Sequence, residues 1–193
     1  VSLDMSAIDA SSKAALANWE MILKKVLPYV DFFVPSAEEL CFMLDRKRYE
    51  EWEQRAAGGD VSEALTPEDV KPLADRILAM GAKVALIKCG APGMYYKTAS
   101  AEKIRELCER LSLNINDWAE KEGFEKSYQP EAILSGTGAG DTSIAAFLCS
   151  ILEEVPLAQA LQMATATGAC CVASYDALSG LKPLEELREK IEN

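Results

Sequence analysis

The chain has 193 residues, enough for one domain with a substantial core, and is 49% hydrophobic and 26% charged, the balance of a globular protein. A net charge of −11 argues against a nucleic-acid partner, and the absence of histidine removes histidine triads, histidine metal ligands and a histidine general base. Its six cysteines (41, 89, 108, 149, 170 and 171) form no C-x-x-C pair, which excludes a zinc spacing or a disulfide framework and fits buried thiols in a reducing cytoplasm.

Val1 to Leu3 reads as the end of a short strand. Ser11 or Ser12 then caps a helix expected through Leu27, with Leu16, Trp19, Ile22, Leu23 and Val26 on one stripe. Val30 to Val34 is a short β-rich run that leads into Pro35 and Ser36. Ser36-x-x-Glu39 is a capping box, and it lies at the C-terminal end of a strand, the edge where open α/β sheets bind ligands. Arg46 to Ala57 reads as a helix with a solvated, charged face. Thr66-Pro67-Glu68-Asp69 is a helix start, and Gly81 ends that helix after Met80.

Val84 to Ile87 is a second buried strand, followed by Gly90-x-x-Gly93 and a short strand, Met94 to Lys97, expected to form a hairpin. Ala101 to Leu111 reads as a helix, Asn114 to Asp117 as a breaker and Trp118 to Glu122 as one more helical turn. Trp118, Phe124 and Tyr128 are aromatics that pack this stretch down or shape a pocket. After the glycine-rich stretch 135–142, an apolar helix is expected over Thr142 to Glu153. A second runs from Pro156 to Ser174, its small residues (Gly168 among them) allowing close packing on the first. Pro183 opens a last amphipathic helix. No apolar run reaches the roughly 18 residues that a membrane helix needs, so no membrane partner is expected.

The stretch Ser135 to Thr142, SGTGAGDT, is a glycine-rich turn at a helix start. Such a turn points several free N–H groups at one spot, with the positive end of the helix dipole behind them, and the usual ligand is a phosphate. It is neither a Walker A motif nor G-x-G-x-x-G. Asp141 would repel a phosphate unless it takes a proton from an attacking hydroxyl. Aspartate in a first turn is also a common cap, so the loop alone leaves a structural and a functional reading open.

This octet resembles the C-terminal signature of the ribokinase-like (PfkB) carbohydrate kinases, usually D-T-T-G-A-G-D-T. Thr137, Gly138, Ala139, Gly140, Asp141 and Thr142 match, whereas Ser135 and Gly136 depart from the usual Asp and Thr. The resemblance implies Asp141 as catalytic base and the amides of Gly138, Ala139 and Gly140 as the anion hole for the transferring phosphoryl group. It implies Thr137, Gly90 and Gly93 beside ATP. Glu39 matches the Glu of the family's N-x-x-E motif, which helps place Mg²⁺ through water and phosphate, while Ser36 replaces its Asn. The family's first signature Asp helps a monovalent cation site in some members, so Ser135 leaves that ion open.

The resemblance further implies a ribokinase-like three-layer α/β/α fold with a mainly parallel sheet, and the alternation of strands and helices gives an α/β class independently. Residues 1–193 would be a single domain, the nucleotide-binding and catalytic C-terminal part, without the family's N-terminal strands, lid and most sugar contacts. The implied activity is ATP-dependent phosphoryl transfer to a hydroxyl of a sugar or sugar-like small molecule. The part present here is expected to be inactive alone, with an exposed sheet edge suited to a homodimer. The competing class is a non-catalytic nucleotide- or phosphate-binding module in which Asp141 is only a cap. Ser135, Gly136 and Ser36 favour that class, and the complete G-A-G-D favours the enzyme.

Overall fold

The β-rich runs form a five-stranded sheet in a computed structural model that describes residues 1–192. The strands β1 (Ser2–Leu3), β2 (Phe32–Phe33), β3 (Val84–Lys88), β4 (Gly93–Thr98) and β5 (Glu122–Lys126) lie in the sheet in sequence order. β1, β2 and β3 run parallel, with Ser2 opposite Phe32 and Phe32 opposite Val84. β4 returns antiparallel, with Leu86 opposite Tyr96, as the glycine hairpin requires. The fold is therefore α/β with a mixed, mostly parallel sheet.

The chain divides into two compact units, Val1–Lys103 with Glu120–Phe124, and Ile104–Ala119 with Glu125–Asn193. In the first unit, α1 (Trp19–Val26), α2 (Ala37–Leu44), α3 (Arg46–Ala56) and α4 (Pro67–Ala79) accompany the sheet. Leu27, Phe33, Leu40, Leu73, Ile77 and Ile87 are buried in one core. The continuous apolar run of β3 is buried on both faces, as in parallel sheets generally. Pro67 opens α4, whose first turn is closed by Asp69 accepting the Thr66 N–H at 2.9 Å.

The second unit holds α6 (Ile115–Trp118), α7 (Ala139–Leu152), α8 (Leu157–Cys171) and α9 (Leu184–Glu192). The helix that precedes them, α5 (Ala101–Arg110), buries Ile104, Leu107 and Cys108. α7 and α8 pack closely because Gly168 carries no side chain: a Cβ there would lie 2.4 Å from Ser143 Oγ. Trp118 meets Phe147 edge to face, with ring centroids 6.0 Å apart, so this aromatic serves packing. Tyr128 packs beside Met163, Ala166 and Leu187.

Four expectations are corrected. The first helix is not continuous from Ser12: a short 3-10 turn, Lys13–Leu16, is followed by a break, and Asn18 caps α1 through its side chain on Met21 N–H at 3.0 Å. Leu16 therefore leaves the stripe and is 87% exposed, and Val26 is exposed as well. Trp118 ends a single helical turn, and Glu122 onward is strand, not helix. That strand was hidden by its polar sequence, Glu-Gly-Phe-Glu-Lys, which suits a sheet edge facing water. Finally, α7 begins at Ala139, three residues before Thr142, and α8 ends at Cys171. Among the described residues no helix is long and apolar enough to cross a membrane.

Candidate functional site

Gly138 is the residue that turns the glycine loop into a helix. Its φ of +79° redirects the chain, and a Cβ at this position would lie 2.3 Å from the Cβ of Ala177. Thr142 then donates both its N–H and its hydroxyl to the Gly138 carbonyl, each at 2.9 Å, and so closes the first turn. Ala139, Gly140 and Asp141 are thereby the first three residues of α7. Among the described residues the N–H groups of Gly138, Gly140 and Asp141 find no acceptor. The Ala139 N–H reaches back to the Gly136 carbonyl at 3.3 Å. Three amides thus stand free at the positive end of a 14-residue helix, an arrangement that can hold an anion.

Asp141 is exposed, and its carboxylate has no hydrogen-bond partner among the described residues. Although it lies in the first turn, it caps nothing, unlike the capping carboxylates of Glu39 and Asp69. Ser135, standing where the signature usually has Asp, accepts the Thr137 N–H on its hydroxyl at 3.2 Å and folds the loop locally. Gly136 is exposed, with open space where a side chain would be.

Glu39, Gly90 and Gly93 belong to the first unit, where the sheet topology brings them to one edge. Ser36 caps α2, accepting the Glu39 N–H at 3.1 Å, while Glu39 Oε2 accepts the Ser36 N–H at 2.8 Å. This capping box forms a parallel bridge with Lys88, and the Lys88 N–H donates to the Pro35 carbonyl at 2.9 Å. Gly90 and Gly93 follow at once in the β3–β4 turn, which is closed by Gly93 N–H to the Gly90 carbonyl at 3.1 Å. Gly90 has a φ of +65° and faces the buried hydroxyl of Ser62, which would meet any side chain there. Both groups stand at the C-terminal ends of β2 and β3, the ligand-binding edge of an open α/β sheet.

Sequence reasoning overlooked Lys88, whose ammonium holds both carboxylate oxygens of Asp4 at 2.7 Å at this same edge. The signal was available: a lone cation ending an apolar strand just before a glycine turn. Cys89 beside it is no nucleophile, because burial pushes its thiol up to about 11. Glu39 keeps one carboxylate oxygen outside its cap, but among the described residues no cluster of three or more acidic or thiol side chains could hold a metal ion.

In the second unit a cavity of about 130 Å³ lies along α8, floored by the small residues Ala166, Ala169 and Ala173 and flanked by Tyr128, Glu131 and Lys182. Its lining is a mixture of apolar side chains with the charged Glu131 and Lys182.

A mostly parallel α/β sheet, a glycine turn after its third strand and a second glycine loop opening an apolar helix define a protein of the ribokinase fold class. Residues 12–183 match the pfkB family carbohydrate kinases, and the chain belongs to that family. No curated protein matches the chain in sequence. Among solved structures, the Arabidopsis thaliana ribokinase complexed with ribose and ATP is similar at 18% identity and a TM-score of 0.61, over 88% of this chain and 43% of that one. A putative ribokinase II from E. coli in complex with ATP and Mg²⁺ is similar at 24% identity and 0.61, over 94% and 46%. The aminoimidazole riboside kinase from Salmonella enterica, complexed with aminoimidazole riboside and an ATP analogue, is similar at 16% and 0.62, over 100% and 52%. These likenesses show the fold, and the chain spans about half the length of the structures it matches.

Proposed function

We propose that this chain supplies the nucleotide-binding and catalytic part of a kinase that moves the γ-phosphoryl group of ATP to a hydroxyl of a sugar or sugar-like small molecule. The observation that carries this reading is the pairing, at the start of α7, of three unsatisfied amides with an aspartate that caps nothing. Free amides alone would fit any anion. An uncommitted carboxylate in the first turn of the same helix supports a base that acts on whatever attacks that anion.

In this reading Asp141 accepts the proton of the acceptor hydroxyl as the phosphoryl group is transferred in line. The N–H groups of Gly138 and Gly140 stabilise charge on the phosphoryl oxygens, an effect worth roughly 3 kcal/mol per donor in other enzymes. Ala139 contributes by opening the helix, and its own N–H becomes available once released from Gly136. Thr137, Gly90 and Gly93 are assigned to the nucleotide as backbone neighbours, and Glu39 to the magnesium ion. Bound Mg²⁺ would offset charge on the nucleotide phosphates. Residues 1–193 are taken as the C-terminal part of the kinase fold, and the acceptor is defined only as a sugar-like alcohol.

Calorimetric titration with ATP and ADP, with and without Mg²⁺, tests the reading. Saturable binding that persists in Asp141→Asn is expected for this chain, and ADP release in a screen of sugars and nucleosides is expected of the complete kinase. Binding without transfer to any acceptor by the complete kinase would favour the non-catalytic nucleotide module, a reading supported by the departures at Ser135 and Ser36. Absence of any nucleotide binding would sink both.

A further inference from the structure

Cys171 is the last residue of α8 and is fully buried. Its Sγ lies 3.6 Å from the carbonyl oxygen of Thr137 and 3.5 Å from that of Ala177. Two carbonyls from separate segments, the glycine loop and the turn after α8, thus converge on one thiol, which has a single weak donor to share. The same segments meet at three more places. The N–H groups of Leu134 and Ser135 donate to the Val172 carbonyl at 2.8 and 3.3 Å, and Gly138 rests on Ala177.

The Thr137 carbonyl matters because of the peptide bond it belongs to. That bond is planar, so the direction of the Thr137 C=O fixes the opposite direction of the Gly138 N–H. The Gly138 N–H is one of the three free amides of the loop. Among the described residues no other side chain donates to the Thr137 carbonyl. Gly138 itself has no side chain to hold the plane, and Gly136 just before is exposed with nothing beside it.

We propose that Cys171 is a positioning residue for the glycine loop: by donating to the Thr137 carbonyl it fixes the plane of the 137–138 peptide and aims the Gly138 N–H at the bound anion. Its link to nucleotide affinity rests on the phosphate reading given above. A buried cysteine that only fills space would be replaced by alanine with a loss of packing and no change in the direction of that amide.

The wild-type chain, Cys171→Ala and Cys171→Ser are compared by amide hydrogen exchange without nucleotide, then titrated with MgATP. Cys171→Ala is expected to speed exchange at Ser135, Ala139 and Thr142 by about tenfold, the scale of one hydrogen bond, and to weaken MgATP binding by a similar factor. Cys171→Ser, which keeps a donor, is expected to restore most of both. Unchanged exchange in Cys171→Ala, or a serine variant that behaves like the alanine one, overturns the proposal. Equal acceleration at Phe147 and Ala164, in the packed centre of α7 and α8, marks global destabilisation and also overturns it. A wild-type chain that binds no MgATP overturns the phosphate reading alone, because the exchange experiment contains no nucleotide.

Discussion

Ala177 occupies the space that a side chain on Gly138 would need: its Cβ lies 2.3 Å, and its Cα 3.1 Å, from an ideal Cβ built on the glycine. The glycine loop is therefore fitted against the turn after α8, and its shape depends on a residue about forty positions away in sequence. Gly138→Ala is expected to cost roughly 1–2 kcal/mol from the left-handed backbone alone, and more from the contact with Ala177. Gly138→Val should abolish MgATP binding. Thermal unfolding of Gly138→Ala, Ala177→Gly and the double variant separates the two costs. The double variant should recover the steric part and keep the backbone part, and additive losses would show that the contact is not felt.

Asp141→Asn keeps the size of the side chain and removes its ability to take a proton. In transfer assays of the complete kinase with an acceptor found by screening, kcat should fall by about 100-fold or more, the lower range for loss of a general base. The dissociation constant for ATP should stay within about twofold, since a neutral side chain repels phosphate less. Unimpaired turnover would remove Asp141 from the base role.

Glu39 has two tasks that can be told apart. Glu39→Gln retains an oxygen for the Ser36 N–H, so the melting temperature should barely move, while the magnesium concentration needed for half-maximal nucleotide binding should rise. Ser36→Ala removes the other half of the cap and should cost about 1 kcal/mol of stability, with little change in magnesium dependence. Calorimetric titrations at several magnesium concentrations, with melting curves, read both. If Glu39→Gln leaves the magnesium dependence unchanged, the residue is a cap only.

Glu122 gives a pH signature in the first unit. Hydrogen bonds from Lys71 first, then from Lys97 at 2.8 Å and from the Tyr95 hydroxyl at 2.5 Å, hold its carboxyl down at about 2 from the usual 4.5. A carboxyl lowered by folding adds stability that is present above its unfolded value and is lost as pH falls through its folded one. The urea midpoint of the wild type should exceed that of Glu122→Gln at pH 7, and the gap should close between pH 4.5 and 2. The gap should be modest, because the group is a third exposed and water screens it. A gap independent of pH would mean that the charge of Glu122 is not what the network uses.

The local signals were legible wherever a residue's backbone chemistry decides the outcome. Thr66-Pro67, the Ser36–Glu39 box and the apolar run of β3 formed as expected, because caps, proline and burial on both faces act within a few residues. The G-x-x-G hairpin and the octet at 135–142 were found by the same means. The misplaced pieces had two causes, a position in the sheet set by distant segments and a choice between competing local caps. β5 is polar and becomes a strand because it lies at the end of the sheet, while α1 starts at Asn18 because its side chain caps a helix that Ser12 does not.

The sequence by itself determined that glycines precede an apolar helix at 138 and that Asp141 follows them, since these are properties of consecutive residues. Only the tertiary structure decided that Asp141 caps nothing, that Ser36 meets Lys88 across the sheet, and that Cys171 reaches the Thr137 carbonyl. Each of these depends on bringing together segments tens of residues apart, or on the absence of a partner once they are together. Spacing along the chain carries no record of either, because side-chain hydrogen bonds are settled by packing in three dimensions.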